Sequence, residues 1–492
     1  ALPLAAAVVA LVGLAARVWV AAALPLSADE AITGLMSKDV LRGELWWLVA
    51  GNAYGGTAES FLAAPLLALF PASEAALRGV SIALWAAAAV LLGLSARRLV
   101  DAPTALVAAG TYWLFSWFTI ALSIRAYAGY AAGAAAFAGW LLLQIDDVST
   151  AQEEMVPRAP RCSFVVRRVT LGVLAGFAVW QHPVFLAALV PGLLMAAASQ
   201  RRQLLRWALP VGCGVLIGVS PLLLHNILHS WPSLTEPPTP AGWTYPYRLA
   251  NLANPGLSRV LGLRFGQGPS PKGEALWVGG LWARALAVAT GLLVLYAFAL
   301  ATRRPGAARL IGVTGLASPF LLVLFRNGEG RHAALFYPFL AILAVSLAVR
   351  DWRPAWCPRP IVVATVPLVW ALVFSLPGLL RERRHEWPIA TLPRVLASLD
   401  AAGVRFVRGD HWVVYPLTFE TDERIEATEH TLVRFPRYEV AVTHAGSDVA
   451  YIFREDSPEK VELRESLASD PRYRRQEIGV WTLFLRRSRP AA

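Results

Sequence analysis

Ser27-Ala28-Asp29-Glu30 follows directly on an apolar run over residues 1–24, long enough to cross a bilayer, which takes roughly 20 residues. Two adjacent carboxylates therefore stand where a membrane helix emerges into water. Ser27 with Glu30 three residues on has the spacing of a capping box, and Gly43 is a helix stop. Between them Ile32, Leu35, Met36 and Val40 recur at helical spacing, while Lys38, Asp39 and Arg42 lie elsewhere on the turn. The pattern predicts a helix lying on the membrane surface. Residues 58–70 form a second apolar segment, too short to span and interrupted by Pro65, with Pro71 just after it.

The composition agrees with a membrane setting. The 492 residues are 56% hydrophobic and 16% charged, with mean hydropathy +0.50, whereas soluble domains carry about 25% charged residues. Nineteen tryptophans suit a chain with many ends at bilayer interfaces. The three cysteines fall in two cytosolic loops and a helix, so neither a disulfide framework nor a thiolate metal cluster is indicated. A net charge of +12 would suit nucleic acid, but the basic residues cluster between apolar runs, and membrane topology explains them better. No Walker loop, His-Glu-x-x-His, nucleophile elbow or paired CxxC occurs, which disfavours a nucleotide-driven pump, a zinc protease and a serine hydrolase.

Apolar runs predict helices near 1–24, 74–96, 103–122, 127–145, 169–182, 184–199, 207–228, 276–301, 309–325, 333–349 and 361–380, about eleven spans by the length rule. Alternating them through the bilayer puts Arg97-Arg98, Arg158 to Arg168, Arg201-Arg202-Arg206, Arg303-Arg304-Arg309 and Arg350 to Arg359 on one side. The positive-inside rule makes that side the cytosol. The first exterior loop is then 25–73 and the second 229–275, a Pro- and Gly-rich stretch of the length used for lids and binding loops. Residues 1–24 end in Ala21-Ala22-Ala23, as signal peptides do, but Arg17 within the run and the lack of a basic start favour a retained helix. Arg17 should face the bundle and pair, with an exterior-loop carboxylate as one partner.

The composition turns polar near 389, dividing the chain into a transmembrane domain, 1–388, and an exterior domain, 389–492. Val404 to Val407, Val449 to Phe453 and Val480 to Leu485 read as strands, and 391–402 and 458–468 as helices. The expectation is a mostly α polytopic membrane protein with a small α/β extracytoplasmic domain at its C-terminal end. The Arg381 to Arg384 run anchors that domain at the membrane surface.

The order of an apolar helix with Arg17, Asp29-Glu30-Ala31 opening a surface helix, Gly51-Asn52-Ala53-Tyr54-Gly55-Gly56-Thr57-Ala58-Glu59-Ser60, and a short Pro-containing segment resembles the C-type membrane glycosyltransferases. The similarity is to the bacterial branch akin to protein mannosyltransferases and aminoarabinose transferases, and covers residues 1–380 in layout. Arg331-His332-Ala333-Ala334-Leu335-Phe336-Tyr337-Pro338 resembles that family's Arg-aromatic-Pro segment, with His332 where Tyr is more usual. The resemblance implies inverting transfer of a sugar from a polyprenyl-phosphate donor to an acceptor hydroxyl of an envelope glycan, lipid or protein. It implies the exterior face of a bacterial inner membrane, and Asp29, Glu30, Glu59 and Tyr54 as site residues.

Such chemistry needs a carboxylate to deprotonate the acceptor and cations for the phosphate leaving group. Asp29 is the candidate base, since the capping geometry assigns Glu30 to the helix end as cap or supporting carboxylate. Glu59 either lines the site or is a solvated charge at a helix start. Exterior arginines run against the positive-inside rule, so Arg125 and Arg331 are candidate phosphate ligands, the alternative being snorkelling to any headgroup. His182 reads as a polar end-cap. No cofactor is assigned; a divalent metal stays open, because Asp29, Glu30 and Glu59 offer an oxygen set that alone proves nothing. Two other classes remain: a transporter or flippase of lipid-linked saccharides, and an inactive homologue that binds envelope glycans. The first should show paired repeats with broken helices, and the sequence shows no such symmetry.

Overall fold

The computed structural model of the chain describes residues 2–153, 161–235, 244–264, 281–325, 330–351, 373, 375–384, 388–454 and 461–487. The first part is helical: α1 (Leu2–Ala21), α2 (Ala28–Leu41), α3 (Ala58–Leu69), α4 (Glu74–Leu99), α5 (Ala102–Leu114), α6 (Trp117–Ile124), α7 (Tyr130–Glu153), α8 (Arg161–Gln181), α9 (Leu186–Ser199), α10 (Leu204–Leu228), α11 (Leu281–Thr302), α12 (Ala307–Phe325), α13 (Tyr337–Asp351) and α14 (Leu376–Arg384). Among the described residues six helices, α1, α4, α8, α10, α11 and α12, are long and apolar enough to cross a bilayer, and α5 with α6 reaches that length only as a bent pair, a broken span or a re-entrant loop. The chain is a multi-pass membrane protein. Most of the helix expected at 361–380 lies outside the described residues, as do Trp243, Arg326 and Glu329.

Several expectations are corrected. The run 103–122 is two helices bent by 73° rather than one. Ser116 accepts a hydrogen bond from Thr119 N at 3.1 Å and so caps a new helix, while Ser375 Oγ donates to the carbonyls of Leu114 and Phe115 that the break leaves open. Pro65 does not interrupt α3, which runs through it. Helix α8 begins at Arg161, earlier than its apolar run, because Arg168 is buried and paired with Asp147 at 3.6 Å, and Asp147 also accepts from Trp207 Nε1. Glycines let α8 lie directly on α10: a Cβ at Gly172 or Gly176 would sit about 2 Å from the Val211 or Val215 carbonyl, and one at Gly214 or Gly218 would meet Val169 or Val173. Small residues four apart allow this close approach of membrane helices.

The C-terminal part comprises α15 (Leu392–Ala401), β1 (Phe406–Gly409), α16 (His411–Glu420), β2 (Glu426–Glu429), α17 (Pro436–His444), β3 (Val449–Arg454), α18 (Val461–Ser469), β4 (Tyr473–Ile478) and β5 (Trp481–Arg486). The sheet order is β2-β1-β3-β5-β4, with β1 parallel to both neighbours and β4 and β5 an antiparallel hairpin. Val407 pairs with Ala427 and with Ala450, and Ile452 with Leu483, so β1, β3 and β5 form the buried middle of the sheet.

Helix α2 is also corrected. It is not a surface helix with one wet face, because Ile32, Leu35 and Met36 share a core with Leu392, Val407, Leu417 and Ile452 of the C-terminal part. Gly34 makes the contact possible; a Cβ there would lie 2.3 Å from Phe419 Cε2. The polar residues face the same partner. Lys38 Nζ reaches Asp422 at 2.7 Å, Arg42 grips Glu423 with both nitrogens at 2.6 and 3.0 Å, and Arg437 reaches buried Asp39 at 2.5 Å. The amphipathic pattern was that of a helix buried on two sides, its charges neutralised by a distant part of the chain.

Candidate active site

The capping box at the start of α2 is formed: Ser27 N donates to Glu30 Oε2 at 3.0 Å and Glu30 N donates to Ser27 Oγ at 3.3 Å. Glu30 is fully buried and held from two sides. Arg78 Nε of α4 donates to its Oε1 at 3.0 Å, and Arg125 Nη1, just past α6, donates to Oε2 at 2.7 Å. Burial disfavours the carboxylate, but Arg125 and Arg78 outweigh it and hold Glu30 down at about 2. The arginines are themselves tied in, Arg78 to the Ala21 carbonyl and Glu74, Arg125 to the Pro25 carbonyl. One buried carboxylate thus joins the ends of α1, α2, α4 and α6. Arg17 faces the bundle as expected, but its partners are Ser123 Oγ, the Gly13 and Trp113 carbonyls and the Trp113 ring rather than a carboxylate. Polar backbone freed at the α5–α6 break supplies what the sequence seemed to require from a loop.

Asp29, one residue before Glu30, is half-exposed and makes no side-chain hydrogen bond or ion pair with any described residue. In the segment between α6 and α7, the Tyr127 hydroxyl is pushed up to about 12, chiefly by burial, with Arg125 opposing, Asp29 and Glu30 adding to the rise, and Arg331 opposing again. A single phenol therefore lies in the field of four of the five charged site candidates of the sequence, all but Glu59. Arg331 is exposed on the short turn Gly330–Ala333, and His332 beside it is buried.

Four rings gather next to this turn. His182 lies 5.3 Å from His332, 5.4 Å from Tyr130 and 5.6 Å from Tyr54, measured between ring centres. His182 is the expected end-cap, its Nδ1 accepting from Val184 N at 3.2 Å. Tyr54 is placed by a turn with left-handed Gly51 and Gly55, closed by the Leu48–Gly56 bridge and by Gly56 N donating to the Gln181 carbonyl. Gly129 is required on the opposite wall: its φ is +84° and a Cβ would sit 2.2 Å from the Gln181 carbonyl.

Glu59 is not a solvated charge. It is buried, and its Oε1 accepts from the amides of Ala131 and Ala132 at the start of α7, at 2.9 and 3.3 Å. Burial outweighs these amides and lifts its carboxyl to about 8. The set Asp29, Glu30 and Glu59 does not come together as metal ligands, because Glu30 is taken up by two arginines and Ser27, and Glu59 by α7. Among the described residues no three His, Cys, Asp or Glu side chains form a metal-binding group.

The structure thus joins Glu30 to Arg125 and gathers Tyr54 and His332 around His182, while the charges of Asp29, Glu30, Arg125 and Arg331 are all felt at Tyr127. The residues unread in the sequence are Arg78, Tyr127, Tyr130 and Gln181. Arg78 had a signal: it sits near the exterior end of a predicted span, where the rule that singled out Arg125 and Arg331 applies equally.

No protein-family model matches the chain, and no curated protein matches it. Solved structures do. The crystal structure of ArnT from Cupriavidus metallidurans bound to undecaprenyl phosphate superposes with a TM-score of 0.67 at 12% identity, covering 97% of both chains. The apo state of ArnT gives 0.62 at 13% identity with the same coverage. The apo oligosaccharyltransferase of Archaeoglobus fulgidus gives 0.54 at 11% identity, over 92% of this chain and 70% of that one. The chain has the fold of the C-type membrane glycosyltransferases, as the sequence resemblance implied.

Proposed function

We propose that the protein transfers a sugar, with inversion, from a polyprenyl-phosphate-linked donor to an acceptor hydroxyl on the extracytoplasmic face of the bacterial inner membrane. The observation that carries the reading is the division of labour at the start of α2. Glu30 is a dry carboxylate neutralised by two arginines, while Asp29 beside it is half-exposed and unpaired among the described residues. A general base must reach its proton and keep its lone pairs available, and Asp29 alone of the pair does. Glu30 fixes the backbone that presents it. The fold likeness to ArnT, solved with undecaprenyl phosphate, supports a lipid phosphate carrier.

In this reading the acceptor hydroxyl attacks the anomeric carbon, Asp29 takes its proton, and the bond from that carbon to the phosphate oxygen breaks on the far side. Arg331, exposed on its turn, binds the departing phosphate through the forked donors of a guanidinium. Arg125 adds positive field but spends its hydrogen bonds on Glu30 and Pro25. Tyr54 and His332 line the ring-walled side where the sugar is held. The reading includes about eleven spans, the boundary near 388, and an exterior C-terminal domain.

Asp29→Asn tests it. General-base loss should cut transfer in membranes by roughly 10²–10⁴-fold; transfer at the wild-type rate would remove Asp29 from the role. Arg331→Ala should weaken donor binding by about tenfold, the weight of one charged hydrogen bond to phosphate, with unchanged thermal unfolding. Unaltered donor affinity would show that the phosphate binds elsewhere.

A further inference from the structure

The stretch between α2 and α3 carries Tyr54 on a turn rather than on a helix or strand. The turn passes through left-handed Gly51 and Gly55. It is closed by Val49 N donating to the Gly55 carbonyl and Asn52 N donating to the Val49 carbonyl, both at 2.9 Å. Two further acceptors of the turn are taken by one nitrogen from far along the chain. Arg434 Nη1 donates to the Ala50 carbonyl at 2.9 Å and to Asn52 Oδ1 at 3.0 Å. Arg434 lies between β2 and α17, and its side chain passes over Gly51, where a Cβ would sit 2.9 Å from Arg434 Cγ. Phe435, the next residue, meets the Trp46 ring edge-on at 5.7 Å between centres. Two consecutive residues of the C-terminal domain thus grip the stretch that leads into Tyr54.

The guanidinium is itself oriented from behind. Arg434 Nε faces Glu429 Oε1 at 3.7 Å. Glu429 is buried at the end of β2, accepts from the Tyr415 hydroxyl at 2.8 Å and lies 3.2 Å from His411 Nδ1. A guanidinium carries its donors on separate nitrogens in a rigid fork. One edge here meets the carboxylate while another reaches the turn, a division that the single nitrogen of a lysine cannot reproduce.

What the turn presents is Tyr54, whose ring lies 5.6 Å from His182, itself beside Tyr130 and His332. Misplacing a group that orients a substrate by about 1 Å can cost roughly a hundredfold in rate. We infer that Arg434 is a positioning residue for sugar transfer: it clamps the turn 50–55 so that Tyr54 meets the donor sugar beside His182. The inference rests on the proposed role of Tyr54 in holding the sugar.

The test uses the purified full chain with labelled undecaprenyl-phosphate hexoses and pentoses, taking the one turned over as donor. Arg434→Lys keeps a cation for Glu429 but loses the fork. It should raise the donor KM about tenfold, the weight of one charged hydrogen bond, with kcat and the thermal midpoint nearly unchanged. In a Tyr54→Ala background the same substitution should add almost nothing, since residues that act through one another are not additive. An equal fold-change in both backgrounds, or an unchanged KM, would overturn the inference. Asn52→Ala disturbs no charge, so it serves if Arg434→Lys lowers the midpoint; it should raise KM in the same direction, again only when Tyr54 is present. Without donor, amide exchange at Val49 and Asn52 should speed up in both variants while β1 keeps its protection. Unaltered exchange there would overturn the clamp whatever the activity. Transfer that survives Asp29→Asn would overturn the assigned base and leave the clamp standing, so the two fail separately.

Discussion

At the residue scale, the three carboxylates singled out near the start of the chain acquire three different states. Asp29 stays half-exposed, Glu30 is held ionised by Arg78 and Arg125, and Glu59 is pushed up to about 8 by burial. The signs of their linkage to stability are opposite. Glu30, at about 2 against an ordinary 4.5, contributes above 4.5 and loses its contribution as pH falls toward 2. Glu59 contributes in its protonated form, fully below 4.5, and loses its contribution as pH rises through about 8. Glu59→Gln keeps an oxygen for the α7 amides and cannot ionise. Its thermal midpoint should hold between pH 6 and 9 where the wild type declines, whereas Glu59→Ala should lose about 1–2 kcal/mol with the cap. A parallel decline in Glu59→Gln and wild type would assign the pH dependence to other groups. Asp29 and Glu30 were separable in sequence because capping geometry is local. The state of Glu59 was not, since the α7 amides that bind it lie 72 and 73 positions away.

At the element scale, hydropathy located the helices but not their ends or breaks. The break between α5 and α6 depends on one serine hydroxyl and on Ser375 from another helix, which no window over 103–122 contains. The start of α8 was hidden because Arg168 is neutralised by Asp147 across the bundle. The packing of α8 on α10 rests on glycine rather than on hydropathy. Gly176→Leu should force the helices apart, since a Cβ there meets the Val215 backbone carbonyl at 2.2 Å. A loss of about 1–3 kcal/mol is expected for such overpacking, read as a lower thermal midpoint in detergent. An unchanged midpoint would mean that the seam between α8 and α10 is not close-packed.

At the scale of the whole molecule, the C-terminal domain is part of what holds the site. Its α16 covers α2, and Asp422 and Glu423, both left-handed at φ 52° and 66°, are aimed at Lys38 and Arg42. Non-glycine residues adopt that backbone only when their surroundings fix it. Three strands of this part, β1, β3 and β5, were legible in the sequence pattern. Its reach back to α2 was not legible, because the amphipathic face of α2 fits a membrane surface and a protein core equally well. Gly34→Leu should dislodge Phe419, raise trypsin cleavage in the C-terminal domain and lower transfer together; full activity with the domain loosened would uncouple the two.

The central claim is that the half-exposed carboxylate at the start of α2 drives sugar transfer from a lipid phosphate. The most direct measurement is release of polyprenyl phosphate from a labelled polyprenyl-phosphate sugar by purified wild-type and Asp29→Asn protein, with and without acceptor. The account predicts acceptor-dependent release matching transfer in the wild type, reduced by roughly 10²–10⁴-fold in Asp29→Asn. Intact donor moved across the bilayer without release, or equal release by both proteins, would contradict it.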